Sequence, residues 1–269
     1  MKRFIVALLL FPVYVAWPQI KAGSVVYVDF AKDEVTIAAD SRMILSSGGH
    51  DDTECKISAF GNQFVFAMAG VVEGEKWNAH AVARQVWEAE SKVEADPVKL
   101  VPVVADRWAT QMEGIYGQPN SISTIRKIGS KALANGIFAA TNNKGNLIAY
   151  VTDIDFDLRL FDSKHLVRLW HDGRNIPPGT SASGGRDEII DEFLALSSTR
   201  AKDYWEQFIP QISNTTKSQQ RASIASKLIE LSIRLHPQNS ELGFPVDVLQ
   251  LRPRTGVSWV SIKPNCPQN

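Results

Sequence analysis

The segment "SVVYVDFAKDEVTIAADSRMILSSGGHDDTECKISAFGNQFVFAMAG", residues 24–70, decides how this chain is read. Its first part, "SVVYVDF" (24–30), is dense in β-branched and aromatic residues, which suit a pleated, half-buried surface. "EVTIAAD" (34–40) follows after the polar break Ala31-Lys32-Asp33, and so short a link predicts an antiparallel hairpin. "CKISAFG" (55–61) and "QFVFAMAG" (63–70) predict a second hairpin, turning at Gly61-Asn62.

Beyond residue 70 the apolar period changes. Ala79, Val82, Ala83 and Val86 recur at helical spacing. A second helix is expected from about Pro97 to Tyr116, with Asp96 as N-cap and proline at its first position. Strands resume at "LANGIFAAT" (133–141) and "NLIAYVTDI" (146–154), with a turn at 142–145. The Gly/Ser-rich "PPGTSASGG" precedes a helix at about 186–197, and another is expected at about 218–235. In the latter, Ile224, Leu228, Leu231 and Leu235 form one stripe, which Ala225 and Ile229 widen. "PVDVLQL" (245–251) and "GVSWVSIK" (256–263) close the chain as strands. Short links and paired helices predict an α+β fold: a four-layer αββα sandwich of two antiparallel sheets, with a helix pair outside each.

Upstream of residue 24 lies a different composition. Lys2-Arg3 precede a 14-residue apolar run, Phe4–Trp17, interrupted by Pro12. That is short for a membrane span and the right length for the core of a signal peptide. Residues 1–23 are therefore read as a leader removed on export to the periplasm or medium, and 24–269 as one domain. A tether that is never cut fits the same residues. The whole chain carries 29 basic and 29 acidic residues. Taking away the leader's three basic residues leaves 26 against 29, a charge of −3. No basic face asks for nucleic acid. Cys55 and Cys266 are the two cysteines; an exported chain would allow a bridge, and two unpaired thiols fit equally well. His50, His80, His165, His171 and His236 show no metal-ligand spacing, and no nucleotide motif is present, so no cofactor or metal is expected.

Residues 24–70 resemble the N-terminal third of proteasome β-subunits and their bacterial relatives, which are N-terminal nucleophile (Ntn) hydrolases. That family places a nucleophilic threonine first, where this chain has serine as other Ntn hydrolases do, then an aspartate 16 residues on in an Asp-Ser-Arg turn, a lysine 16 further, and a glycine 14 beyond. Here Asp40-Ser41-Arg42 is the turn; Ser24, Lys56 and Gly70 fall at those spacings without a gap. The element order matches too, whereas the last third matches loosely.

The resemblance implies a chemistry. A serine hydroxyl needs a base to attack, and a chain beginning at Ser24 would supply its own α-amine. Lys56 would act as a fixed cation beside the hydroxyl, Asp40 would hold Lys56, and the Gly70 N–H would face the developing oxyanion. Gly23-Ser24 then becomes a self-cleavage site, since the family typically carries glycine before the nucleophile. "SASGG" resembles the family's Gly-Ser-Gly turn, which makes Ser183 the candidate serine near the terminal amine. The family's second aspartate and its serine would fall at Asn239 and Leu242, a departure from the pattern. Met43, Met68 and Val72 either line the pocket beside the nucleophile or pack the core. His80 is read as a surface or packing residue rather than a ligand, and the seven tryptophans as core or interface anchors. The implied partners are a peptide or amide substrate and further copies of the chain in a homo-oligomer. A membrane would be touched only through an uncleaved leader. Two functions stay open: an exported amidohydrolase or peptidase, and an inert β-subunit-like scaffold or binding module.

Overall fold

The computed structural model describes residues 21–45, 49–74, 76–118, 132–161, 164–185, 187–235 and 242–266. The leader through residue 20 lies outside them, as do His236 and Asn239.

The described residues open with a two-residue strand, β1 (Lys21–Ala22), then the expected hairpin of β2 (Val25–Ala31) and β3 (Glu34–Ala39). Two short strands, β4 (Met43–Leu45) and β5 (His50–Asp51), precede the second hairpin, β6 (Ile57–Phe60) and β7 (Phe64–Gly70). β8 (Glu73–Gly74) and β9 (Trp77–Asn78) lead into the first helices, α1 (Ala79–Glu90) and α2 (Pro97–Tyr116). Each has a sequence-encoded start. The Asn78 side chain accepts the N–H groups of His80 and Ala81, and Asp96 accepts that of Val98 at 3.1 Å, with Pro97 at the first helical position.

Three antiparallel strands follow: β10 (Ala132–Thr141), β11 (Leu147–Phe161) and β12 (Lys164–Asn175). β11 runs well past the expected end at 154. Next comes β13 (Thr180–Gly185), which corrects the expectation of a Gly/Ser turn there. The segment is a strand because β2 offers it a ladder partner along its whole length, from Thr180↔Phe30 to Gly185↔Val25. Three helices come next: α3 (Glu188–Leu194), α4 (Thr199–Ile212) and α5 (Lys217–Leu235). The expected pair is thus a triplet. α4 is the unexpected member, although Ala201, Tyr204, Trp205 and Phe208 recur at helical spacing and the first three face the cluster beneath α3 and α5; Pro210 in its last turn is a helix breaker that masks the pattern. The chain ends with β14 (Asp247–Arg252) and β15 (Gly256–Ser261).

The strands assemble into one sheet ordered β13-β2-β3-β14-β15 and another ordered β12-β11-β10-β7-β6. A small third sheet, β5-β4-β1-β8-β9, lies at the N-terminal end of β2. Side-chain alternation sorts the core into three apolar clusters. Val26, Val28 and Phe30 of β2 join Val65, Ala67 and Ala69 of β7 in a cluster shared by the two large sheets. The other face of β7, Phe64, Phe66 and Met68, packs with Val104, Trp108 and Met112 of α2. Val25 and Tyr27 pack with Ile190, Phe193, Leu228 and Ile229 of α3 and α5. Each fully buried side chain of this size contributes about 2 kcal/mol of burial free energy. The chain is α+β, with antiparallel sheets and five helices among the described residues. Cys55 and Cys266 form a disulfide, with Cα atoms 5.6 Å apart, so the open question about the thiols resolves to a bridge.

Candidate active site

Ser24 sits where β1 gives way to β2 and is 1% exposed. Gly23 and Ser24 adopt φ angles of 102° and 155°. The Gly70 N–H donates to Ser24 Oγ at 3.3 Å. Gly70 ends β7 at φ 104°, and a Cβ there would stand 2.2 Å from the Leu133 carbonyl oxygen, so only glycine fits.

Asp40 follows directly on β3 and is fully buried. Its Oδ1 accepts the Val25 N–H at 2.9 Å and the Lys56 ammonium at 2.6 Å. Its Oδ2 accepts the N–H groups of Arg42 at 3.0 Å and Gly243 at 3.1 Å. A buried carboxylate without such donors would be costly, and here four N–H donors meet its two oxygens. Lys56 precedes β6, is fully buried, and also donates to the Arg42 carbonyl at 2.6 Å. Burial pulls its ammonium down to about 8, against the upward effect of Asp40, and a second ammonium, Lys263, adds to the fall.

Ser24, Asp40, Lys56 and Gly70 therefore belong to one hydrogen-bonded group, joined through the Ser24–Val25 backbone. Ser183 stands apart from it. Its Oγ donates to Asp191 Oδ1 at 3.4 Å and lies against Asp187, whose carboxyl is raised by burial. Among the described residues no hydrogen bond joins Ser183 to Ser24. Leu242 is buried in the cluster beneath α3 and α5. Met43, Met68 and Val72 are fully buried in the cluster beneath α1 and α2. His80 packs edge-on against Phe66 at 4.9 Å and meets the Ser58 hydroxyl at 2.8 Å; burial pulls its ring down to about 3, so it is neutral.

Four contributors escaped the sequence reading. Gly243 supplies an N–H to Asp40. Gly185, at φ 86°, lies so close that a Cβ would stand 2.0 Å from the Ser24 carbonyl oxygen. Asn135 of β10 accepts the Gly185 N–H at 3.0 Å and donates to Asp153 at 2.7 Å, fastening that approach from the other sheet. Lys263 reaches the Asp40 turn through Ser41. Only the pair of cysteines, one of them three residues beyond Lys263, hinted that the tail returns here.

β1 lies between β4 and β8: Lys21↔Leu45 and Ala22↔Ile44 on one side, Lys21↔Glu73 on the other. An extended backbone thus occupies the approach to Ser24. Two surface clefts, of about 330 and about 620 Å³, are lined by other residues, and neither includes Ser24, Asp40, Lys56 or Gly70. Among the described residues no group of three His, Cys, Asp or Glu side chains is placed to hold a metal ion.

No protein-family model and no curated protein matches the chain. A solved structure does: a mutant of Anbu from Hyphomicrobium sp. strain MC1, with a TM-score of 0.52 at 16% identity, over 89% of this chain and 87% of that one. At this identity the likeness is one of fold.

Proposed function

We propose that the chain is an exported, proteasome-like Ntn hydrolase that cleaves amide or peptide bonds, with Ser24 as nucleophile after self-cleavage at Gly23-Ser24. The three apolar clusters are taken as the interfaces of a four-layer αββα sandwich, which assembles as a homo-oligomer. The observation that carries the reading is the Gly70 N–H on Ser24 Oγ, within the group that holds the Asp40–Lys56 pair.

In the first step Ser24 Oγ adds to the Gly23 carbonyl carbon. The hydroxyl proton passes to the Ser24 nitrogen and the C–N bond breaks. This leaves a Gly23 ester on Oγ and a free α-amine. Water then hydrolyses the ester, releasing the Gly23 carboxylate and restoring the hydroxyl. With a substrate amide the α-amine takes the Oγ proton and returns it to the leaving amine. Lys56 uses two of its three N–H donors on Asp40 and Arg42, so one is left for the reacting oxygen. The backbone of β1 lies in a strand ladder, which makes an extended peptide the fitting substrate.

One observation favours the alternative of an inert scaffold: β1 occupies the approach to Ser24, which is 1% exposed. Intact-mass measurement on protein recovered from its native compartment separates the two. The hydrolase should begin at Ser24, and Ser24→Ala should keep Gly23. A wild-type chain that still carries Gly23, or a Ser24→Ala chain processed normally, overturns the proposal.

A further inference from the structure

We propose that Lys263 is a positioning residue of the Ser24 centre: its ammonium fixes the spacing between the 40–42 turn and the 54–56 segment, and with it the Asp40–Lys56 pair. The inference rests on reading Ser24 as the nucleophile. Lys263 lies two residues past β15 and is 4% exposed. Its Nζ makes an ion pair with Asp247 Oδ2 at 2.8 Å, donates to Ser41 Oγ at 2.9 Å and donates to the Glu54 carbonyl. Ser41 lies between Asp40 and Arg42, the two residues that Lys56 Nζ grips. Glu54 lies two residues before Lys56. One ammonium thus holds both segments that carry the pair.

The segments have few other ties. No β-ladder joins 40–42 to 54–56 among the described residues. Arg42 reaches Asp52 from the outer side, at 2.6 and 2.8 Å. On the inner side the ties are the two Lys56 bonds themselves and Lys263, which is held in place by its own N–H on Asp247 Oδ1 at 2.9 Å. The tail beyond it is locked as well: the Cys266 N–H donates to the Lys263 carbonyl at 3.1 Å, and Cys266 is bridged to Cys55, next to Lys56.

The same placement has an electrostatic effect. The ionisable groups around Lys56 are Asp40 and Glu54, which favour its charge, and Lys263, which opposes it. His80 also lies within electrostatic reach of Lys56 and is neutral. Arg42 is committed to Asp52, and Asp247 to Lys263. Removing the Lys263 charge takes away repulsion and loosens the packing, and both let Lys56 hold its proton to higher pH.

The test uses the double variant Lys263→Met with Asp247→Asn, which leaves no orphaned carboxylate. In a Ser24→Ala background, which keeps Gly23 in place, the Lys56 ammonium is titrated by carbon NMR of labelled lysine, assigned with Lys56→Met. Its midpoint should rise above that of the parent. With Ser24 intact, the release of Gly23 should slow by about tenfold to a hundredfold, as expected for a displaced reacting group. A folded double variant with an unmoved midpoint and an unchanged release rate overturns the inference and leaves the Ser24 reading standing. A raised midpoint in a protein whose parent never releases Gly23 supports the coupling and sinks the Ser24 reading instead. If the double variant does not fold, Lys263→Gln, which keeps a donor for Ser41, takes its place under the same criteria.

Discussion

The two ends of strand β3 carry buried carboxylates six residues apart, and they are built differently. At the first end Glu34, 1% exposed, accepts from side chains alone: Thr36, Gln250 and Arg221 on one oxygen, Ser218 and Arg252 on the other. At the far end Asp40 accepts three backbone N–H groups and one fully buried ammonium. Burial alone would push the Glu34 carboxyl up, but the hydrogen bonds from Ser218, Arg252 and Arg221 outweigh it and hold it below its ordinary value. Two cations surround that one carboxylate, both with some access to water. The result is a fastener between α5, β14 and β3. At the other end the carboxylate is held by backbone, and the partner cation is the group left adjustable, with its ammonium pulled down to about 8. A charge surrounded by flexible donors serves stability; a charge set in backbone donors beside a tunable ammonium is suited to chemistry.

Four measurements test this contrast. The largest effect is expected from the bridge, which braces only the Asp40 end. Replacing Cys55 and Cys266 by serine opens a closed loop spanning a separation of 211 residues. On chain-entropy grounds this removes about 5 kcal/mol of stability. Hydrogen exchange should then speed up more at the Lys56 amide than at the amides of 34–36; equal acceleration at both ends would erase the contrast.

Next come the charges themselves. Lys56→Met should slow the release of Gly23 by about a thousandfold, the scale on which one electrostatic contact at a reacting oxygen acts. Glu34→Ala should cost about 3 kcal/mol in denaturant unfolding, because two arginines lose their partner. Its release rate should stay within about twofold of the parent when measured below the unfolding transition. A folded Glu34→Ala chain as slow as Lys56→Met would show that both ends serve the same task.

The third effect is on the alkaline side. Between about 8 and its ordinary 10.5 Lys56 binds fewer protons folded than unfolded, so this residue makes stability rise with pH there. The slope is at most about 1.4 kcal/mol per pH unit, and Lys56→Met should abolish it. Substrate turnover should run the other way, falling as pH passes about 8 and the fixed cation discharges. An alkaline limb near 10 in the pH dependence of kcat/KM would remove Lys56 from that role.

The smallest effect is on the acid side. Glu34 is held below its usual value, so its contribution is present above about 4.5 and is lost as pH falls through its folded value. The parent should lose stability below pH 4.5 more steeply than Glu34→Gln. Parallel acid profiles would mean that Glu34 is not the fastener described.

The sequence spoke most clearly where local pattern and fold agree. The hairpins of β2–β3 and β6–β7 are legible because their alternation reflects two apolar faces, as with Val26 and Val28 against Val25 and Tyr27. α2 matches its expected bounds because Asp96 and Pro97 mark its start and Leu100, Val104 and Trp108 its buried side. β13 was not legible, since Gly184 and Gly185 look like a turn until β2 is placed beside them. α4 carries a helical apolar pattern at Ala201, Tyr204, Trp205 and Phe208, but Pro210 and its mixed polar composition obscure it. At the candidate site, spacing singled out Ser24, Asp40, Lys56 and Gly70, which the structure gathers. Gly243, Asn135 and Lys263 come from three distant stretches and carry no local pattern, while Gly185 sits in the glycine-rich stretch whose serine was singled out in its place. Ser183, selected by a glycine-rich motif, faces Asp191 instead.

The torsions at the junction have a consequence of their own. Gly23 and Ser24 hold φ at 102° and 155°, and for a residue with a side chain that is a tense setting, about 1–3 kcal/mol above relaxed backbone. A chain whose first residue is Ser24 has no such torsion, because no carbonyl carbon precedes it. Opening the bond would let that spring go. Rejoining it would mean winding the spring again, so the cut would behave as a ratchet, biased forward by roughly tenfold for each 1.4 kcal/mol released.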